Sequence, residues 1–171
     1  MKNLGKDLAK LGRKKGMCKE YLYKLPTITD RKELAEIFIR EIDFCLSNDF
    51  PSLDYIETHF KDITGDFGVF TVGQYSQVNK RHLVALGTAT GSLRMDGFNV
   101  AEVFVRDQAY VNLSASENSF CMVDLYSGRI HVRASQNAKV VVNDYGGRIS
   151  QEISENGLVK IIRKTKKSEQ S

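Results

Sequence analysis

Ala115-Ser116-Glu117-Asn118-Ser119, Ala134-Ser135-Gln136-Asn137-Ala138 and Ile153-Ser154-Glu155-Asn156-Gly157 are three versions of one phrase. They recur on a strict 19-residue period, and Asn99 extends the asparagine series one step toward the N-terminus. A fixed period of this length marks one structural unit stacked on copies of itself. Apolar columns keep the same period: Val111, Ile130 and Ile149; Cys121, Val140 and Val159; Phe104, Val123, Val142 and Ile161. Gly128-Arg129 and Gly147-Arg148 align as well.

Within each period the apolar residues alternate, as in Val111-Leu113-Ala115, Ile130-Val132-Ala134 and Cys121-Val123-Leu125. Alternation marks strands with one buried face. Strand centres near 104, 112, 123, 131, 141, 149 and 160 give two strands per period, with Gly, Asn and Ser between them. The expected fold is therefore mainly β with N-terminal helices: a short single-stranded β-solenoid of 19-residue coils over 62–162. Its coils stack at about 4.8 Å, the inter-strand spacing. Asn99, Asn118, Asn137 and Asn156 are expected to form a buried ladder, each amide bonding to the next. A β-sandwich with the same strand spacing is the alternative.

Ahead of the repeats the pattern becomes helical. Residues 1–29 form a basic segment in which Leu4, Leu8 and Leu11 share one helical face, thin for a membrane-surface helix. Residues 30–61 read as a helical cap. Asp30 and Glu33 form a capping box for one helix running to Ser47 or Asn48, and Ser52 caps a second carrying Leu53, Ile56 and Phe60. Their apolar faces need burial, and the first coil, an otherwise open sheet edge, is the expected target. Gly65, Gly68 and Gly73 read as turn residues around an entry strand at Phe67–Val72, since no phosphate-loop pattern surrounds them. Residues 163–171 are expected to be a basic disordered tail.

Charge follows this division. Residues 1–20 carry seven Lys/Arg against two acids, and 158–171 carry five against one. With the whole chain at +4, the middle is acidic, at −5. Basic ends keep a protein soluble or touch nucleic acid through phosphates, although neither end interleaves the aromatics that base stacking needs. No apolar run approaches the roughly 18 residues that a spanning helix needs. The N-terminus lacks a signal-peptide core. Cys18, Cys45 and Cys121 are too widely spaced for a zinc site, and their odd number argues for reduced thiols in a cytosol. No cofactor or metal is expected.

Candidate binding residues come from the outward side of the strands. With Ile130 and Val132 inward, Arg129, His131 and Arg133 point outward, and Arg148 stacks beside Arg129 one coil later. Like charges on neighbouring strands repel unless something shares them. An acidic ligand or partner carboxylate would do so, and so would Glu152, which the register places beside Arg133. An alternative surface is the column Asp107, Tyr126 and Tyr145, beside Asp124 and Asn143, in which the tyrosines stack across coils. His59 and His82 stand apart, and no catalytic residue is identified: neither a metal-ligand spacing nor a nucleophile elbow is present.

Cys18-Lys19-Glu20, Ile42-Asp43-Phe44-Cys45-Leu46-Ser47-Asn48-Asp49-Phe50-Pro51-Ser52, His59-Phe60 and Val142-Asn143-Asp144-Tyr145-Gly146 resemble a family of small proteins of gut-bacterial prophages and mobile elements. The resemblance implies a bacterial cytosol or phage-infected host and an accessory, host-interaction role. The repeat is also loosely similar to bactofilins and other bacterial β-solenoids, which act as scaffolds. The expected function is thus a non-enzymatic interaction or scaffold protein that offers a solenoid face to a protein partner or to its own copy. The alternatives are an anion-, nucleotide- or nucleic-acid-binding protein using the basic face and tails, and a polysaccharide-active enzyme, for which convergent carboxylates are not evident.

Overall fold

The computed structural model describes residues 2–165, so part of the expected basic tail, 166–171, lies outside the described residues. The chain divides into two compact units, the first ending at Phe67 and the second beginning at Gly68.

The second unit is a β-solenoid. Its strands are β1 (Val69–Phe70), β2 (Gln74–Val78), β3 (His82–Ala85), β4 (Thr90–Met95), β5 (Val100–Val105), β6 (Tyr110–Ala115), β7 (Phe120–Leu125), β8 (Arg129–Ala134), β9 (Lys139–Asp144), β10 (Arg148–Ile153) and β11 (Leu158–Arg163). Odd strands form one parallel sheet in the order β1-β3-β5-β7-β9-β11, and even strands a second, β2-β4-β6-β8-β10. The two sheets enclose one core, because alternate residues of every middle strand face inward. Val103, Val105, Val111, Leu113, Val123, Leu125, Val132 and Val142 are wholly buried there. Cys121 joins them, and burial pushes its thiol up to about 12.

Only the later coils keep the repeat expected from the sequence. Tyr110 pairs with Arg129 and Phe120 with Lys139, in step with the asparagines. Thr90 pairs with Tyr110 and Val100 with Phe120, and this earlier step is one residue longer. One corner accounts for the change. Between Val105 and Tyr110 it holds four residues; between Leu125 and Arg129 it holds three, Tyr126-Ser127-Gly128. The tight version needs glycine: Gly128 has φ +80°, and a Cβ there would lie 2.6 Å from the Ala109 carbonyl oxygen.

This shift corrects three expected columns. Val103, not Phe104, is opposite Val123; Phe104 is opposite Asp124. Arg106, not Asp107, is the neighbour of Tyr126, since the Tyr126 N–H donates to the Val105 carbonyl. Asn99 lies opposite Ser119, because the Phe120 N–H donates to the Asn99 carbonyl.

The asparagine ladder is also corrected. Asn99, Asn118, Asn137 and Asn156 are all exposed, so they do not form a buried stack. Asn99 instead bonds its own turn: its Nδ2 donates to the Asp96 carbonyl at 2.9 Å, as Ser119 Oγ does to the Ser116 carbonyl at 2.7 Å. The inter-coil bonds run instead through Gly97, two residues before Asn99, and through Glu117 and Gln136, just before Asn118 and Asn137. Gly97, Glu117, Gln136 and Glu155 all have φ between 54° and 59°. The Gly97 N–H donates to Glu117 Oε2 at 2.6 Å, and the Glu117 N–H donates to Gln136 Oε1 at 2.7 Å. Left-handed backbone turns the N–H along the stack, where the next coil's longer side chain satisfies it.

The first unit is helical: α1 (Leu4–Lys14), α2 (Lys19–Lys24), α3 (Arg31–Arg40), α4 (Ile42–Ser47) and α5 (Leu53–Phe60), with a 3-10 turn at Leu25–Thr27. Asp30 and Ser52 cap α3 and α5 through the N–H groups of Lys32 and Tyr55. The single helix expected from Asp30 is broken at Glu41, whose carboxylate accepts from the Tyr21 hydroxyl at 2.6 Å. Residues 1–29 are thus folded together with the later helices: Tyr55 also donates to Asp7 at 3.0 Å. Gly5 permits the closest packing, since a Cβ there would lie 2.1 Å from the Leu25 carbonyl oxygen. Among the described residues no helix is long and apolar enough to cross a membrane.

Candidate functional site

β8 and β10 carry the expected basic residues outward in direct register: Arg148 is opposite Arg129, Ser150 opposite His131, and Glu152 opposite Arg133. The structure therefore assembles Arg129, His131, Arg133 and Arg148 on one sheet face, and it places counter-groups among them. Arg133 Nε donates to Glu152 Oε2 at 2.8 Å, and this bond, with the charge behind it, lowers the Glu152 carboxyl below its ordinary value. His131 Nδ1 lies 2.6 Å from Ser150 Oγ, and its Nε2 lies 3.8 Å from Glu152 Oε1. The Arg129 guanidinium sits 5.2 Å from the centroid of the Tyr110 ring, a cation–π contact. His131 and Arg133 thus have a carboxylate beside them and Arg129 an aromatic ring, while the Arg148 side chain makes no hydrogen bond or ion pair among the described residues. One polar atom on this face is left over: Asn112 Oδ1, between Ser92 and His131, is buried without a hydrogen-bond partner.

The other outward column stacks Tyr126 on Tyr145, with ring centroids 5.2 Å apart and planes 9° from parallel. Asn143 Nδ2 donates to Asp124 Oδ1 at 2.8 Å in the adjacent row. Each tyrosine spends one ring face on the other, and Asp124 accepts from an amide. The column strengthens the coil-to-coil stack; it does not bring together two carboxylates.

From sequence, Val159, Ile161 and Ile162 read as a last strand whose edge the following lysines blunt; the structure leaves the inward side of that last coil partly exposed. Ile149, Gln151 and Ile153 occupy the inward positions of β10, and Val159 and Ile161 those of β11. Their counterparts one coil earlier, Ile130, Val132, Val140 and Val142, are fully buried. Here Ile153 is 48% exposed, the flanking Leu158 is 51% exposed, and Ile149, Val159 and Ile161 are only half-buried. Among the described residues β10 and β11 each have a strand neighbour on one side alone. Asp144 marks the boundary. It is buried on the inward side, accepts from the Gly146 and Gly147 N–H groups at 2.9 and 3.0 Å, and receives Arg163 Nη1 at 3.0 Å.

No family model, characterised protein or solved structure matches this chain. The site is therefore read from its own chemistry. Among the described residues no three His, Cys, Asp or Glu side chains are grouped to hold a metal ion.

Proposed function

We propose that the protein is a non-enzymatic scaffold whose β-solenoid associates end to end with a second copy through β10 and β11. The observation that carries this reading is the exposed inward side of the last coil. Among the described residues two unpaired edges, each with its apolar row, lie on the two sheets of one coil. An edge strand is a template for strand addition, and a partner must continue both sheets at once. The same end of another copy does so by construction.

The residue pattern supports a two-fold arrangement. In β11 Val159 and Ile161 flank Lys160 symmetrically, so an antiparallel copy centred there places Val159 against Ile161 of the other chain. In β10 Ile149 and Ile153 flank Gln151, and the same operation places apolar on apolar and amide on amide. Isologous contacts of this kind close into dimers. Lys160 meets its own copy on the solvent side, where salt screens the repulsion. A prophage or mobile-element accessory role in a bacterial cytosol belongs to the same reading, and the resemblance in sequence is its support.

Sedimentation or light scattering over a range of concentrations tests it. The protein should show concentration-dependent dimers, with higher salt favouring them, and Ile161→Asp with Ile153→Asp should remain monomeric and folded. A protein that stays monomeric at high concentration in high salt has no such interface.

A further inference from the structure

We infer that the N-terminal helix α1 binds the phosphate backbone of a nucleic acid. The helix buries Gly5, Leu8, Ala9 and Gly12. At about 100° per residue these lie within an arc of roughly 100°. Lys6, Lys10, Arg13 and Lys14 fall within a second arc of similar width on the other side, and all four are exposed. The stripe runs along a helix about 16 Å long, with Lys6, Lys10 and Lys14 about 6 Å apart along the axis and Arg13 beside Lys14. Lys15 and Lys19 continue the basic run beyond it.

Helix stability does not explain the stripe. Lys6, Lys10 and Lys14 are like charges at i, i+4 spacing, an arrangement that weakens a helix. Arg13 and Lys14 in the last turn do favour the helix dipole, but Lys6 in the first turn opposes it. Asp7, the one acid in the helix, is engaged by Lys2 at 2.9 Å and by the Tyr55 hydroxyl. None of Lys6, Lys10, Arg13 or Lys14 makes an ion pair among the described residues, so the stripe offers four unshared cations in a rigid row. A polyanion with regularly spaced charges is its complement, and contacts of this kind read no base sequence.

An anionic membrane is the competing surface, and the packing of α1 argues against it. An interfacial helix sinks its apolar face among the lipids. Here Leu8 and Ala9 are buried in the protein, and Leu4 and Leu11 are half-buried. What remains outside is charge.

The test uses the full chain, a fluorescein-labelled 20-base-pair duplex and vesicles of phosphatidylserine with phosphatidylcholine. Four phosphate contacts give a slope of about −3.6 in log K against log salt, a loss of roughly 150-fold between 50 and 200 mM. Lys10→Gln with Arg13→Gln, which keeps good helix formers, should halve the slope to about −1.8 and cut that loss to roughly 12-fold. Circular dichroism confirms that this variant is folded, and Lys61→Gln with Lys139→Gln, both exposed and outside α1, β10 and β11, should leave the slope unchanged. Absence of duplex binding at 20 mM salt overturns the inference. So does a slope that the α1 variant leaves unaltered, or binding to the vesicles without binding to the duplex.

Discussion

Gly128→Ala isolates the cost of the corner that shortens the coil by one residue. Two effects add. The residue has φ +80°, and an L side chain in left-handed backbone costs about 1 kcal/mol. The new methyl would also lie 2.6 Å from the Ala109 carbonyl oxygen, well inside an ordinary contact. That oxygen accepts from the Arg129 N–H at 3.0 Å, at the start of the β6–β8 ladder. Moving it away loosens a bond worth about 1 kcal/mol. The expected loss is about 2–3 kcal/mol, or a fall in Tm of roughly 4–12 °C for a chain of this size. Gly97→Ala is the internal control. Gly97 has φ +59°, but the nearest atom to its added Cβ, Asn99 Nδ2, is 3.5 Å away. It should lose only the backbone term, about 1 kcal/mol and roughly 2–4 °C. Thermal unfolding followed by far-UV circular dichroism compares the two. Equal losses would refute the claim that close approach to Ala109, and not positive φ alone, requires glycine at Gly128.

Three further outcomes are expected. Asn118→Ala should change stability by no more than about 0.5 kcal/mol, whereas Leu113→Ala in the same coil should cost about 2–5 kcal/mol; the reverse order in urea unfolding would restore a buried asparagine. In the native protein a soluble thiol reagent should modify Cys18 alone, since Cys45 and Cys121 are buried and burial raises the Cys121 thiol; mass spectrometry showing rapid labelling at Cys121 would mean that the core opens readily. The Lys2 ammonium holds the Asp7 carboxyl below its ordinary value, and the Tyr55 hydroxyl adds to this against the opposing effect of burial. A lowered folded pKa contributes stability that is present above the unfolded value of about 3.9 and is lost as pH falls through the folded value. The Tm gap between the protein and Asp7→Asn should therefore close in that acid range, and a gap that widens there would reverse the sign.

Most of the candidate surface was legible one residue at a time. Alternation around Ile130 and Val132 sends Arg129, His131 and Arg133 outward, and the 19-residue register brings Glu152 to Arg133. The use of that surface was less legible, because it depends on side-chain distances. His131 meets Ser150, and Arg129 meets the Tyr110 ring, so charge that looks available along the chain is shared across strands. The Glu/Gln just before Asn118, Asn137 and Asn156 is visible as a repeat. Its part in the inter-coil bonds is not, because the pattern does not show which neighbour of a turn adopts left-handed backbone.

Along the chain alone, alternation and period together favour stacked coils over a sandwich. A period-2 apolar pattern inside a longer strict period buries its inward residues when parallel coils stack in register, since each coil alone leaves them in water. The sequence by itself determined the helix starts at Asp30 and Ser52, because a capping side chain acts within three residues of itself. The tertiary structure decided whatever rests on a comparison between coils. A three-residue corner in place of a four-residue one moves Asn99, Phe104 and Asp107 out of their expected columns, and a one-residue slip exchanges the two faces of a strand. It decided, too, that the last coil is the exposed one. Val159 and Ile161 repeat the pattern of Val140 and Val142, and only the absence of a further strand beside β11 among the described residues separates an exposed position from a buried one.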